Sequence, residues 1–161
     1  MIRIGLLSDT HGFIDPGIFQ FFNDCDEIWH AGDIGTWEVI ESLSRYKPFF
    51  AVYGNIDPQT IKRQYPEYLI LKRESVSIAM IHIGGYPGRY SPEGKRLIIR
   101  YKPQLFISGH SHILKVMYDE THSLLHINPG AAGRFGLHTI STIIRFVIDK
   151  DRIRDLEIYE M

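Results

Sequence analysis

Leu105-Phe106-Ile107-Ser108-Gly109-His110-Ser111-His112 is the stretch on which the reading of this chain turns. A short apolar run ends in a serine and passes directly into two histidines at i, i+2 spacing. A run of this kind reads as a strand buried on both faces, where apolar residues are continuous instead of alternating. The same pattern recurs along the chain. Ile2 to Leu7 leads into Asp9-Thr10-His11, Glu27 to Ala31 into Gly32-Asp33, Phe49 to Tyr53 into Gly54-Asn55, and Val76 to Ile81 into His82. Ligand-type side chains at several strand ends would gather at one end of a sheet, where open α/β proteins place their sites. Such an inventory is what a pair of divalent ions needs, and paired ions point to phosphoester chemistry.

Between these strands the first half carries helical segments. Pro16 to Phe22 starts with Asp15 as N-cap, and Thr36 caps a helix running to about Tyr46. Alternation of strand and helix predicts parallel βαβ units. Tyr68 to Leu71 and Val76 to Ile81 then read as two strands joined by a short turn. Ser91-Pro92-Glu93 begins a helix to about Tyr101: a serine cap, a proline in the first turn and an acidic neighbour. The tail is strand-rich, at Val116 to Tyr118, Leu124 to Ile127, Thr139 to Ile148 and Ile153 to Tyr159. Two sheets flanked by helices is the simplest arrangement, in one domain over residues 1–161.

Composition narrows the functional classes. An apolar fraction of 44% and an aromatic fraction of 12% suit a packed domain. Eighteen basic against nineteen acidic residues give a net charge of −1 with no like-charge run, which offers little support for a nucleic-acid partner. The single Cys25 excludes an internal disulfide and fits a reducing compartment. No run approaches the roughly 20 apolar residues of a membrane span, and the amino terminus is too short for a signal segment. A soluble cytoplasmic protein without a membrane partner is expected, and a homo-oligomer is compatible with this composition.

Each candidate residue has a chemical reason. Asp9 and His11 follow one strand, where side-chain alternation would send both the same way to grip an ion. Asp33 follows a glycine that permits a sharp turn, and its carboxylate can bridge two ions. Asn55 offers a neutral carbonyl ligand. His82, His110 and His112 offer imidazoles. His30 is expected to point into the sheet or to support Asp33 from behind. His126 is placed before a tight turn at Asn128-Pro129-Gly130 with a supporting role, and His122 and His138 at the surface. Tyr86, Arg89 and Tyr90 lie on a Gly/Pro-rich loop that could rim a pocket.

Taken together, Asp9-Thr10-His11-Gly12, His30-Ala31-Gly32-Asp33, Gly54-Asn55, His82, Gly109-His110-Ser111-His112 and Ile127-Asn128-Pro129-Gly130 resemble the calcineurin-like metallophosphoesterase family, in its order and across most of the chain. The likeness is closest to its small prokaryotic phosphodiesterase branch. The resemblance implies a four-layer α/β/β/α sandwich. It implies that Asp9, His11 and His112 hold one metal, that Asn55, His82 and His110 hold the other, and that Asp33 bridges them. It further implies a hydroxide between the ions as nucleophile, with Asp33, Asn55 and His110 as the catalytic residues. Manganese is the expected ion, and nickel, iron, cobalt and zinc also suit the mixed nitrogen and oxygen set. The expected substrate is a small phosphoester, most simply a phosphodiester, with Arg134 and Asp57 as candidate substrate-binding residues.

Three departures stand out. Larger phosphatases of the family carry a histidine directly after the motif asparagine, and here the position is Ile56, followed by Asp57. His82 is followed by Ile83-Gly84 instead of directly by glycine. The loop after Gly130 holds Arg134 without a proline-arginine pair. A rival reading is a protein-binding scaffold, because a eukaryotic retromer subunit resembles the same branch and has an impaired metal site. The filled ligand set favours the enzyme.

Overall fold

The computed structural model describes residues 1–161. Its elements in order are β1 (Ile2–Leu7), α1 (Gly17–Phe21), β2 (Glu27–His30), α2 (Trp37–Tyr46), β3 (Phe49–Ala51), α3 (Gln59–Lys62), β4 (Tyr68–Arg73), β5 (Val76–Ile81), β6 (Gly85–Tyr86), β7 (Arg89–Tyr90), α4 (Pro92–Tyr101), β8 (Leu105–Ile107), β9 (Leu114–Asp119), β10 (Leu124–Pro129), β11 (Thr142–Asp149) and β12 (Arg152–Glu160). Two five-stranded sheets form, in the orders β12-β11-β1-β2-β3 and β4-β5-β8-β10-β9. In each, three strands run parallel, β1-β2-β3 and β5-β8-β10, and the remaining strands pair antiparallel.

The sheets meet through one apolar layer. Ile4 and Leu6 of β1, Trp29 of β2 and Ile144, Phe146 and Ile148 of β11 face Val76, Ile78 and Met80 of β5, Leu105 and Ile107 of β8 and Ile127 of β10. The intervening residues point outward. Leu7, Ile28 and Ile143 pack against α1, α2 and α3 through Ile18, Phe22, Val39, Ile40, Leu43 and Ile61. Ala79, Ile81 and Phe106 pack against Leu97 and Ile98 of α4. This gives helix, sheet, sheet, helix, the four layers expected. It also explains the unbroken apolar runs, since a strand covered on both sides has no solvent face. Each buried Leu, Ile or Phe contributes roughly 1.5–3 kcal/mol of burial.

Local signals act as their chemistry dictates. Ser91 Oγ accepts from the Gly94 N–H at 2.9 Å and caps α4. Asp15 Oδ1 accepts from the Gly17 N–H at 2.8 Å. Thr36 stands at the α2 cap position in extended geometry, but its side chain makes no capping bond. The expected strand from Thr139 begins only at Thr142, and β10 runs through Asn128 and Pro129, where a loop was expected. The short α3 and the β6–β7 hairpin had no periodic signal. At the end of the sheets away from the histidines, Arg73 Nε lies 3.0 Å from Glu27 Oε1, and Trp29 Nε1 donates to Glu27 Oε2 at 2.8 Å, joining the two sheets. No helix is long and apolar enough to cross a membrane.

Candidate metal centre

The carboxyl ends of β1, β2, β5 and β8 carry Asp9 and His11, Asp33, His82, and His110 and His112. Five of these residues adopt left-handed backbone: Asp9 (φ 54°), His11 (φ 46°), Asp33 (φ 54°), His110 (φ 70°) and His112 (φ 61°). For residues with a Cβ this conformation costs about 1–3 kcal/mol each and persists where the surroundings enforce it. The i, i+2 convergence of Asp9 with His11, and of His110 with His112, therefore comes from left-handed turns beyond the strand ends, not from strand alternation. The loops are laced together by backbone bonds: Asp9 N–H to Gly32 O at 2.9 Å, His11 N–H to Asp33 O at 3.0 Å and Gly109 N–H to His82 O at 2.9 Å. Gly54 is required on steric grounds, because a Cβ there would collide with the Asp33 carboxylate and backbone nitrogen.

Two clusters result. Asp9, His11 and His112 form one and Asp33, His82 and His110 the other; within each, all ligand atoms lie within 4.8 Å of one another. His112 Nε2 is 3.1 Å from Asp9 Oδ1, and His82 Nε2 is 3.2 Å from Asp33 Oδ2. His11 Nε2 lies 3.8 Å from Asp9 Oδ1 and 3.6 Å from Asp33 Oδ2, so Asp33 faces both clusters. Two ligands held about 2.1 Å from one ion sit roughly 3.0–3.4 Å apart, which matches the shorter of these spacings.

The donor atoms are otherwise prepared. Asp9 Oδ2 accepts from Ser8 Oγ at 2.6 Å and His110 N–H at 3.1 Å, while buried Oδ1 has no partner. Asp33 Oδ1 accepts from the Ile56 N–H at 3.0 Å, leaving Oδ2 toward the histidines. His82 Nδ1 lies 2.7 Å from Ala31 O and must donate to it, so Nε2 carries the lone pair. His112 is set by a relay. His138 Nε2 donates to Gly133 O at 2.7 Å, so His138 Nδ1 accepts from His112 Nδ1 at 3.3 Å and His112 Nε2 is left as the acceptor. His11 Nε2 and His82 Nε2 are buried without a hydrogen bond. Uncompensated buried polar atoms are rare and costly, and these two orphans, with Asp9 Oδ1, point into one space. The residues present fit divalent ions.

Electrostatics agree. Burial opposes ionisation of Asp9, but the nearby His11, His112 and His82 rings and the bond from Ser8 outweigh it and hold the carboxyl below its ordinary range. Burial likewise opposes the Asp33 carboxylate, and the His82 ring 3.2 Å away lowers it. His82 is raised despite burial by the Asp33 carboxylate beside it, and His112 is raised by the Asp9 carboxylate beside it.

Asn55 is exposed and lines a cavity of about 450 Å³ beside His82. Asp57 is buried, and its oxygens accept from the Gly35 N–H at 2.7 Å and the Gly54 N–H at 2.8 Å, clamping two loops together with its carboxylate turned to backbone. Arg134 is exposed, stacks 4.1 Å over the Phe13 ring and lines a different hollow with Asp15 and His138. His30 is fully buried and neutral, pushed down to about 3 by burial. Its Nδ1 accepts from the Gly32 N–H at 3.1 Å and its Nε2 donates to Thr10 Oγ1 at 2.9 Å, which supports the turn into Asp33 as expected. Asn128 Nδ2 donates to Gly109 O at 2.9 Å and Ser111 Oγ at 3.0 Å, fixing the histidine loop from behind. His138, expected at the surface, is half-buried against His112, and Phe135 covers His11 with ring centroids 5.1 Å apart. Neither carries a spacing signal in the sequence. Tyr90 turns inward and donates to Asp119 Oδ2 at 2.6 Å, so it rims nothing.

Comparison with known proteins follows this geometry. The calcineurin-like phosphoesterase superfamily domain matches residues 2–151. A probable metallophosphoesterase of Methanothermobacter thermautotrophicus is 29% identical over 137 residues, spanning 80% of this chain and 76% of that protein. Vps29 of Chaetomium thermophilum superposes with a TM-score of 0.82 over 99% of this chain and 87% of its own, at 14% identity. An archaeal phosphodiesterase does so with a TM-score of 0.75 over 99% of this chain and 100% of its own, at 21% identity. At such identities the two structures speak for the fold alone. The match over nearly the whole chain decides the family: the chain belongs to the calcineurin-like phosphoesterase superfamily.

Proposed function

We propose that the chain is a phosphodiesterase dependent on two divalent ions, with manganese the expected metal and a small phosphodiester the substrate. Asp9, His11 and His112 would hold one ion, Asn55, His82 and His110 the other, and Asp33 both. Bound there, two cations supply an acidified water and neutralise charge on the phosphoryl oxygens. The chain's own part is to hold the ligands. Ala31 O and the His138–Gly133 relay fix the imidazole tautomers, and Asp9 and Asp33 bring two carboxylates into a space that burial alone would forbid to charge. The carrying observation is the trio of orphaned buried atoms, Asp9 Oδ1, His11 Nε2 and His82 Nε2.

Ile56 stands where larger relatives place a histidine, and its side chain is 45% exposed. With no acid there, departure of a basic alkoxide is poorly assisted, while nitrophenolate leaves as a stable anion. The test is a series of aryl phosphodiesters with manganese. Log rate should fall steeply with leaving-group pKa, and Ile56→His should flatten the slope. A second reading, a binding scaffold, draws on exposed Val116, Met117 and Tyr118 along edge strand β9. No hydrolysis of any activated diester, with both ions bound, would decide for the scaffold.

A further inference from the structure

We propose that the hollow beside Asn55 and His82 seats the ester group retained on phosphorus, and that this group is cationic, as in an amino or quaternary ammonium alcohol. The inference rests on the phosphodiesterase reading. The cavity of about 450 Å³ is lined by Tyr53, Asn55, Glu67, His82, Ile83 and Glu93 among others, and no lysine or arginine lines it. It shares Asn55 and His82 with the candidate centre, and His82, only 2% exposed, has an unpartnered Nε2. A phosphodiester with phosphorus at the centre would therefore have this space beside it.

Charge selects the occupant. Glu93 is ion-paired with Arg96. Glu67 lines the cavity and forms none of the molecule's ion pairs or side-chain hydrogen bonds, so its charge is free to meet a ligand. The Tyr53 ring already attracts a cation, with the Lys62 ammonium 5.5 Å from its centroid. Lys62 lies outside the lining, near Asn55 O at 3.4 Å. A free carboxylate and an aromatic ring lining one cavity, as Glu67 and Tyr53 do, are the groups that receive ammonium ions. A further phosphate of a nucleotide would instead face Glu67 across a site with no lining cation. Arg134, the arginine the sequence suggests for phosphate, stacks on Phe13 and lines a different hollow.

The test uses the full chain loaded with manganese and three diesters with one leaving group: p-nitrophenyl phosphorylcholine, bis(p-nitrophenyl) phosphate and the p-nitrophenyl ester of thymidine 5′-phosphate. In each, water adds to phosphorus, the bond to the nitrophenolate oxygen breaks with its electron pair, and the proton passes to solvent. The choline ester should exceed the thymidine ester by about tenfold in kcat/KM, a 1.4 kcal/mol preference. Glu67→Gln should remove that preference, mainly through KM, and Glu93→Gln should reduce it less. A ratio unmoved by Glu67→Gln, or a preference for the thymidine ester, overturns this inference and leaves the phosphodiesterase reading standing. If none of the three is hydrolysed at full metal occupancy, that reading falls and this one with it.

Discussion

His11 and His82 at the strand ends, and His126 beside the β6–β7 hairpin, have buried ring nitrogens without partners, but their surroundings differ. His11 and His82 face two carboxylates, with the His82 nitrogen 3.2 Å from Asp33 Oδ2. His126 faces aromatic rings, Phe106 with centroids 5.9 Å apart and Tyr90 at 6.4 Å. A backbone group of Phe106 approaches it without completing a hydrogen bond. Burial pushes His126 down to about 4, whereas Asp33 pulls His82 upward. An orphaned nitrogen facing an acid has the surroundings that suit a cation. An orphaned nitrogen among rings is a polar group tolerated in apolar packing. The comparison explains why burial alone is a poor guide to function.

The largest effect should come from Asp33→Asn. Removing the charge that faces both clusters should reduce diester turnover on the order of 10³-fold or more and lower metal stoichiometry, with circular dichroism unchanged. Near-native turnover at matched metal occupancy would reduce Asp33 to a loop residue and dissolve the contrast. His138→Phe probes one side of the centre. It keeps a ring against His112 but removes the acceptor that sets the tautomer, so one of two metal-binding steps in a chelator competition should weaken about 10–100-fold. Equal weakening of both steps would mean that the relay is not local.

The smallest effect tests the other region. His126→Leu should leave metal loading unchanged and stabilise the fold by about 1–3 kcal/mol, by removing an unsatisfied buried group. The sign follows from linkage. His126 is depressed from 6.5 to about 4 in the folded chain. As pH falls below 6.5 the unfolded chain takes up a proton that the folded chain refuses, so the native protein loses stability. The advantage of the leucine variant should therefore grow by about 1.4 kcal/mol per pH unit down to about pH 4, measured by urea unfolding at several pH values. A variant that loses metal along with His126 would place that histidine in the centre's support.

Much of this was legible in the residues. β1, β5 and β8 announced themselves as apolar runs, and Ser91-Pro92 marked α4. Asp9, Asp33, His82, His110 and His112 stood out because strand ends converge. The remainder depends on distance in the fold. Nothing near Thr142 says that β11 will pair with β1, since the register joins Ile2 to Ile148. Left-handed backbone at Asp9 or His110 is imposed by neighbouring loops, not by local propensity. His138 sits in a segment without periodicity, and only its position against His112 reveals its work. Asp57 looked open to substrate beside Asn55, yet two backbone amides from different loops claim it.

The pairing of β1 with β11 also sets when this molecule can mature. Every candidate ligand is translated by residue 112, yet the strand that closes one side of β1 arrives only with Thr142–Asp149. A chain emerging from the ribosome therefore carries its candidate metal loops on a strand, β1, whose edge is still open. Contacts this remote in sequence form slowly, and unpaired apolar edges invite misassociation in the interval. Truncation just before Thr142 would keep all seven ligand side chains and lose the strand that seals the sheet beneath them. Loops without that strand would lack the scaffold that holds the candidate ligands in place.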